Sequence, residues 1–286
     1  MTMMEYSDFK QILNKFIFER SKADLLEKVA NSPSRYIGLF RPTTPKGKIL
    51  QNLFQSHEIR FGNAFEEIIE IYLKKIGFEI KNKVYNDNRE TIYLDQCFYR
   101  DGKVYFLEQK IRDDHDSSKK RGQIQNFEKK LNVMITNYPE RRIIGIFYFL
   151  DPELVKNKGF YENELERMKN DYGIELNIFY GKELFEYLSK SCVWEEITQH
   201  LLMWKKEIPD MPEVNFDKNP EETFEEIKDL KPLVFRRILN DDNVYNEIIS
   251  VIFPDGTTLK LLKEYFQRRK EYIYQQLANK IDERLK

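Results

Sequence analysis

Two β-prone runs, Ile92–Tyr99 and Val104–Ile111, are joined by Arg100-Asp101-Gly102-Lys103. Asp-Gly between such runs is the strongest short-range hairpin signal, because both central residues of a type I′ turn need positive φ. With Asp101 and Gly102 as the loop, Arg100 faces Lys103, and every further cross-strand pair keeps the same sum of residue numbers. Asp95 then faces Glu108. Directly opposed residues have Cβ atoms about 4.5 to 5.5 Å apart, so two carboxylates converge on one sheet face. Two like charges there are destabilising unless something compensates them, and a divalent cation with hard oxygen ligands is the natural candidate. Lys110 lies two residues beyond Glu108 and projects from the same face. Val104 and Phe106 share that face, which puts the charged group at the far end of a strand whose first half is core. The opposite face carries Tyr105, Leu107, Gln109 and Ile111, mostly apolar as in a sheet buried on both sides.

An Asp, Glu, Lys triangle suits metal-assisted phosphodiester hydrolysis. A metal held by Asp95, Glu108 and the Gln109 main-chain carbonyl polarises a phosphate and lowers the pKa of a water, and Mg2+ completes its octahedral shell with further waters. Lys110 orients the attacking water and offsets charge in the transition state. The plainer alternative is an exposed ion pair of little consequence.

The rest of the chain supplies a setting. Its 286 residues allow one large domain or a core with additions. Residues 1–56 read as helical, with apolar spacing through Phe9, Ile12, Leu13, Phe16 and Ile17, then Leu25, Leu26 and Val29, interrupted by Pro33, Pro42 and Pro45. From His57 to Leu188 the order is helix, strand, strand, helix, strand, helix, strand, helix, an α/β pattern. Lys205 to Asp229 gathers Pro209, Pro212 and Pro220 with nine acidic residues and reads as a solvated connector. A helical region follows from Pro232 to Lys286, broken near Pro254-Asp255-Gly256. The expected division is therefore 1–56 helical, 57–190 core, and 191–286 helical, the last serving DNA recognition or dimerisation.

Asp95, a hairpin, then Glu108-Gln109-Lys110 resembles the PD-(D/E)XK motif of Type II restriction endonucleases, with Leu94 where the motif often has proline. The resemblance covers residues 57–190. It implies an α/β fold with a restriction-endonuclease-like core, a mixed central sheet flanked by helices, carrying helical N- and C-terminal additions. Two further segments agree with it. Phe61-Gly62-Asn63-Ala64-Phe65-Glu66-Glu67 opens a helix with the apolar stripe Phe61, Phe65, Ile68, Ile69, Tyr72, Leu73 and Ile76; Glu66 lies on the stripe's edge, and the resemblance implies that it contributes to the metal site. Ile174–Leu188 is similar to the final core strand and helix of restriction enzymes.

After the second strand of the hairpin, Arg112 to Gln125 forms a polar turn into a helix, and residues 119–130 hold five basic residues and one acidic. Lys119, Lys120, Arg121, Gln123 and Gln125 are the expected DNA contacts, Lys and Arg to phosphates and Gln to bases or phosphates. Their plainer reading is a solvated helix start.

Other features carry less. The net charge of −1 excludes a protein that coats DNA by bulk positive charge and leaves room only for a local basic surface. Cys97 and Cys192 are too few for a disulfide framework or a zinc site and read as reduced core residues. His115 among Asp113, Asp114 and Asp116 reads as part of a solvated acidic loop rather than as a base. His57 and His200 lack neighbouring ligands. Glu79-Ile80-Lys81 repeats the E-x-K spacing, but no aspartate-bearing strand precedes it. With no long apolar run and no signal-peptide pattern, the chain is placed in the cytoplasm, away from membranes.

The expectation is a Mg2+-dependent Type II restriction endonuclease acting on double-stranded DNA as a homodimer, with a DNA methyltransferase as genetic partner. A repair or recombination nuclease of the same fold and a DNA-binding protein without turnover are the alternatives.

Overall fold

In the computed structural model, which describes residues 2–87 and 90–286, the Asp-Gly hairpin is the pivot of the main sheet. Strand β4 (Gln96–Arg100) pairs antiparallel with β5 (Lys103–Lys110), Arg100 opposite Lys103 and Gln96 opposite Leu107, the register counted from the turn. Asp101 and Gly102 both have positive φ, 50° and 78°. On one side β1 (Glu79–Ile80) closes the sheet antiparallel to β4. On the other, β5 pairs parallel with β6 (Arg142–Phe149), which pairs parallel with β7 (Glu175–Tyr180), so the order is β1-β4-β5-β6-β7. Parallel neighbours need long crossovers, supplied by α5 (Ser117–Asn137) and α6 (Lys158–Tyr172). A short α7 (Glu183–Tyr187) follows β7. The result is a mixed five-stranded sheet with flanking helices.

The expected single run Ile92–Tyr99 is broken. Its first half, within β3 (Glu90–Tyr93), pairs with β2 (Val84–Asp87) in a separate two-stranded sheet, and β4 starts only at Gln96. The break falls at Leu94-Asp95. Leu94 N–H donates to the Lys83 carbonyl (2.8 Å), and the Asp95 carboxylate takes the Gln109 N–H (2.7 Å). Aspartate is a poor strand former because its side chain competes for main-chain donors, and here it does so. Where the sequence pattern predicts two strands between its first helices, the described residues form five, β1 to β5.

Between the sheet and α5 and α6 lies an aromatic layer of Phe106, Phe127, Phe147, Phe149, Tyr161 and Tyr180, with neighbouring centroids 4.9 to 5.5 Å apart. Gly145 on β6 makes room for it: a Cβ there would stand 2.6 Å from Leu176 Cδ2 and 2.7 Å from Phe106 Cε1. The layer seats α5 over the face of β5 that bears Val104, Phe106 and Glu108.

The first long helix is α4 (Pro45–Lys75), not one opening at Phe61. Pro45 is a helix start rather than an interruption, since proline lacks only an N–H that the first turn cannot use, and the Thr44 hydroxyl accepts from Gly47 N–H (3.2 Å) as an N-cap does. Its stripe from Phe65 to Leu73 is fully buried as expected, and Glu67 is exposed.

The chain forms two compact units, residues 1–13 with 61–208 and residues 14–60 with 209–286. The boundaries of these units fall at 13/14, 60/61 and 208/209. The first holds the sheet, the N-terminal half of α1 (Tyr6–Phe18) and α8 (Cys192–Lys205). The second is helical. It draws α2 (Ser21–Asn31), α3 (Ser34–Ile37), α9 (Pro220–Ile227), α10 (Pro232–Asn240), the short α11 (Asp242–Val244) and α12 (Ser250–Ile252) flanking a π-helical turn, α13 (Thr257–Gln267) and α14 (Tyr272–Arg284) around one core. Leu26, Ile227, Phe235, Leu262 and Ile281 are among its members.

Residues 205–229, expected to be a solvated connector, partly belong to that core. Phe216 and Ile227 are buried, and Asp217 accepts from Thr258 N–H (2.8 Å) and Asp255 N–H (3.0 Å), capping α13 from a distance. Acidic count hid a capping aspartate and its apolar neighbours. Among the described residues no helix is long and apolar enough to cross a membrane.

Candidate active site

At the C-terminal end of β5 the structure brings Asp95, Glu108 and Lys110 together. Extending the hairpin register one step beyond Gln96–Leu107 sets Asp95 opposite Glu108, although Asp95 itself lies outside the ladder. The Lys110 ammonium is 2.6 Å from Glu108 Oε1, 2.8 Å from the Gln109 carbonyl oxygen and 3.4 Å from Asp95 Oδ2. Those are the three oxygens expected to hold a metal, and they converge on one cation. Burial works against charge on Lys110, but Glu108 and Asp95 overcome it and hold its pKa above the ordinary value.

A second lysine completes the group. Lys130 of α5 reaches down from the helix and donates to Asp95 Oδ1 (3.1 Å) and to Glu108 Oε2. Two carboxylates and two ammoniums thus stand together, Glu108 and Lys130 almost sealed with 2% and 7% of their side chains exposed, Asp95 and Lys110 reaching solvent with 15% and 27%. In the sequence Lys130 is only the last basic residue of the 119–130 run and is not among the candidate site residues. A signal was available: Lys130 follows Phe127 by three residues and adjoins Leu131, both fully buried, so it lies on the apolar stripe of α5, where an ammonium must find an anion.

Glu66 comes to the same region from α4. Burial, then the nearby Asp95 carboxylate, push its pKa up to about 7 against the pull of Lys83, Lys110 and Lys130. Its own main-chain carbonyl accepts from Gln96 Nε2 (2.6 Å), which ties α4 to the start of β4. Among the described residues no group of three or more His, Cys, Asp or Glu side chains is gathered tightly enough to hold a metal. The converging set is two carboxylates plus a main-chain carbonyl, and that oxygen-only chemistry fits a hard divalent cation.

The turn after β5 differs from the solvated acidic loop expected there. Asp113 is completely buried and accepts from Asn157 N–H (2.8 Å), Asn157 Nδ2 (2.8 Å) and the Tyr180 hydroxyl (3.0 Å). A carboxylate can replace three backbone or side-chain partners where a loop must be held, and sequence composition does not show it. His115, 3.5 Å from Asp114, has its pKa lowered by burial.

Asp116 then caps α5 through Lys119 N–H (2.9 Å). Of the expected DNA contacts, Lys119, Arg121 and Gln125 are exposed. Lys120 lies over the Phe160 ring at 4.5 Å, and Gln123 accepts from the Tyr161 hydroxyl (2.5 Å). Lys129 pairs with Glu90.

The remaining candidates fall elsewhere. His200 is buried, bonded through Nε2 to the Met4 carbonyl (2.9 Å). Cys97 is buried, which pushes its thiol up to about 11, but Cys192, expected in the core, is exposed at the first turn of α8. Glu79 and Lys81 form an edge-strand pair 2.5 Å apart, away from the two-carboxylate site.

A family model described as "Type II restriction endonuclease, HinfI" matches residues 5–92 and 77–204. These overlapping segments take in the sheet, Glu66, the Asp95–Lys110 hairpin and Lys130, and together cover more than half of the chain. The chain belongs to this Type II restriction endonuclease family, and so is a hydrolase of DNA phosphodiester bonds that cleaves DNA sequence-specifically. No curated protein matches it significantly.

Proposed function

We propose that cleavage takes place at the C-terminal end of β5, with Asp95 and Glu108 holding Mg2+, assisted by the Gln109 carbonyl, and with Lys110 as the catalytic ammonium. The observation that carries this reading is the convergence of Asp95 Oδ2, Glu108 Oε1 and the Gln109 oxygen on the single Lys110 cation. When bound, the magnesium ion polarises the scissile phosphate and lowers the pKa of water. Asp95 and Glu108 fix where the phosphate docks. Lys110, freed from its two carboxylates, orients the attacking water and offsets the charge gathering on phosphate oxygens. Glu66 lines the site as a third carboxyl whose pKa burial and the Asp95 carboxylate push up to about 7, and a bound cation would favour its charged form.

We assign phosphate contacts to the exposed start of α5, chiefly Lys119 and Arg121, with Lys120 and Gln125 beside them and Gln123 oriented by Tyr161. Sequence reading is assigned to the helical unit. Its residues 28–57 contain no Asp or Glu and five Lys or Arg in a chain of net charge −1. Arg35, Arg41 and Lys46 there are exposed, flanking Leu39 and Phe40, the latter 99% exposed. Such a local positive strip suits duplex DNA. A homodimer acting on a symmetric site, on the restriction-endonuclease-like core, and a cognate methyltransferase protecting that site complete the proposal.

The test is a digest of unmethylated plasmid with and without Mg2+. Discrete fragments that require the metal uphold the proposal. Metal-independent cutting, or cutting undiminished in Asp95→Ala, overturns it.

A further inference from the structure

The two lysines do not share the carboxylates at random; they divide them atom by atom. Lys130 takes Asp95 Oδ1 and Glu108 Oε2, whereas Lys110 takes Asp95 Oδ2, Glu108 Oε1 and the Gln109 carbonyl. Lys130 approaches from α5 and is almost sealed, with 7% of its side chain exposed, while Lys110 at the strand end is 27% exposed. One ammonium therefore grips one oxygen of each carboxylate from the protein side, and the other fills the place where the remaining three oxygens meet.

We propose that Lys130 is a positioning residue that stays in place through the reaction, aligning Asp95 and Glu108 by one oxygen each and setting the net charge offered to the incoming cation. Lys110 is the ammonium that yields its place. Several features make Lys130 the fixed member. Its helix is held by Phe127 against Phe106 (5.0 Å) and by Ile124, Leu131 and Met134 in the same core. Withdrawing it would strand a buried ammonium and leave Glu108 half unpaired, whereas Lys110 needs only to turn toward solvent. With Lys130 in place Asp95 and Glu108 together present a net charge of −1 rather than −2, to which Glu66 adds its own when charged. The site thereby binds its divalent ion more weakly than the same carboxylates would without Lys130.

This inference rests on the reading that Asp95 and Glu108 hold the metal, and the experiment separates the two. Wild type, Asp95→Ala, Lys130→Met and Lys130→Arg are compared without DNA by melting temperature with and without Mg2+, and by calorimetric titration with Mg2+. Lys130→Met is expected to melt lower without metal, to gain more from Mg2+ than wild type does, and to bind Mg2+ about tenfold more tightly, because a competing positive charge is gone. Its cleavage rate at saturating Mg2+ falls, and Lys130→Arg moves all three quantities back toward wild type. If Asp95→Ala loses the Mg2+ response while Lys130→Met keeps the wild-type affinity and the wild-type melting gain, Lys130 is only a structural ion pair and the inference falls. Weaker Mg2+ binding in Lys130→Met also overturns it. If Asp95→Ala responds to Mg2+ as wild type does, the metal lies elsewhere and the underlying reading falls as well.

Discussion

Within a few residues of one another, β5 and the turn that follows it hold buried carboxylates in two different ways. Asp95 and Glu108 are balanced by two ammoniums, Lys110 and Lys130. Asp113 is held by neutral donors, two from Asn157 and one from Tyr180. A carboxylate satisfied by cations can exchange one cation for another without losing its partner charge. One satisfied by three directional neutral donors has its geometry set and nothing to exchange. The difference separates the site proposed to take a metal from a clamp that holds the loop leading into α5, although both are aspartates near the same strand end, Asp95 15% exposed and Asp113 fully buried.

The largest effect expected from this contrast is on chemistry. Lys110→Ala should lower the single-turnover cleavage rate by about a thousandfold while specific DNA binding persists, since the role proposed for Lys110 is on developing charge rather than on the ground state. Cleavage and binding measured on one DNA preparation check it, and a parallel loss of both breaks the contrast. Asp113→Asn should behave oppositely. In either orientation its amide nitrogen faces an Asn157 donor, the side-chain amide at one position or the main-chain N–H together with the Tyr180 hydroxyl at the other, costing about 2 kcal/mol of stability in denaturant unfolding, with Mg2+ affinity unchanged. A shift in metal affinity instead would merge the two regions.

Gly145→Ala sharpens the comparison by disturbing the layer beneath both. Its Cβ would crowd Phe106 and Leu176 at under 3 Å. Overpacking of this kind costs about 1 to 3 kcal/mol, seen as a lower unfolding midpoint with the denaturant slope preserved. The smallest effect belongs to the surface: Lys119→Ala and Arg121→Ala should each reduce the salt slope of DNA binding by about one. An unaltered slope removes the start of α5 from the DNA interface.

Much of this layout was legible in the residues. Asp101-Gly102 specified the turn, the turn specified the register, and the register paired Asp95 with Glu108 and Lys110. That chain of inference needs only local geometry. The broken strand at Leu94-Asp95 was not legible, because its cause is a long-range bond from Gln109 N–H to the Asp95 side chain. Pro45 was misread as an interruption although Thr44-Pro45 is an N-cap followed by a first-turn proline. Lys130 was legible in principle from its place on a buried stripe. Asp113 and Asp217 were not, since composition describes an acidic residue as solvated and only tertiary partners make it a clamp or a cap.

The most direct test sets the two aspartates against each other. Cleavage is measured at saturating Mg2+ for Asp95→Asn and Asp113→Asn, at a temperature where both are folded. The account predicts a loss of about a thousandfold or more for Asp95→Asn and a rate within a few-fold of wild type for Asp113→Asn. Full activity in Asp95→Asn, or a collapse of activity confined to folded Asp113→Asn, would contradict it.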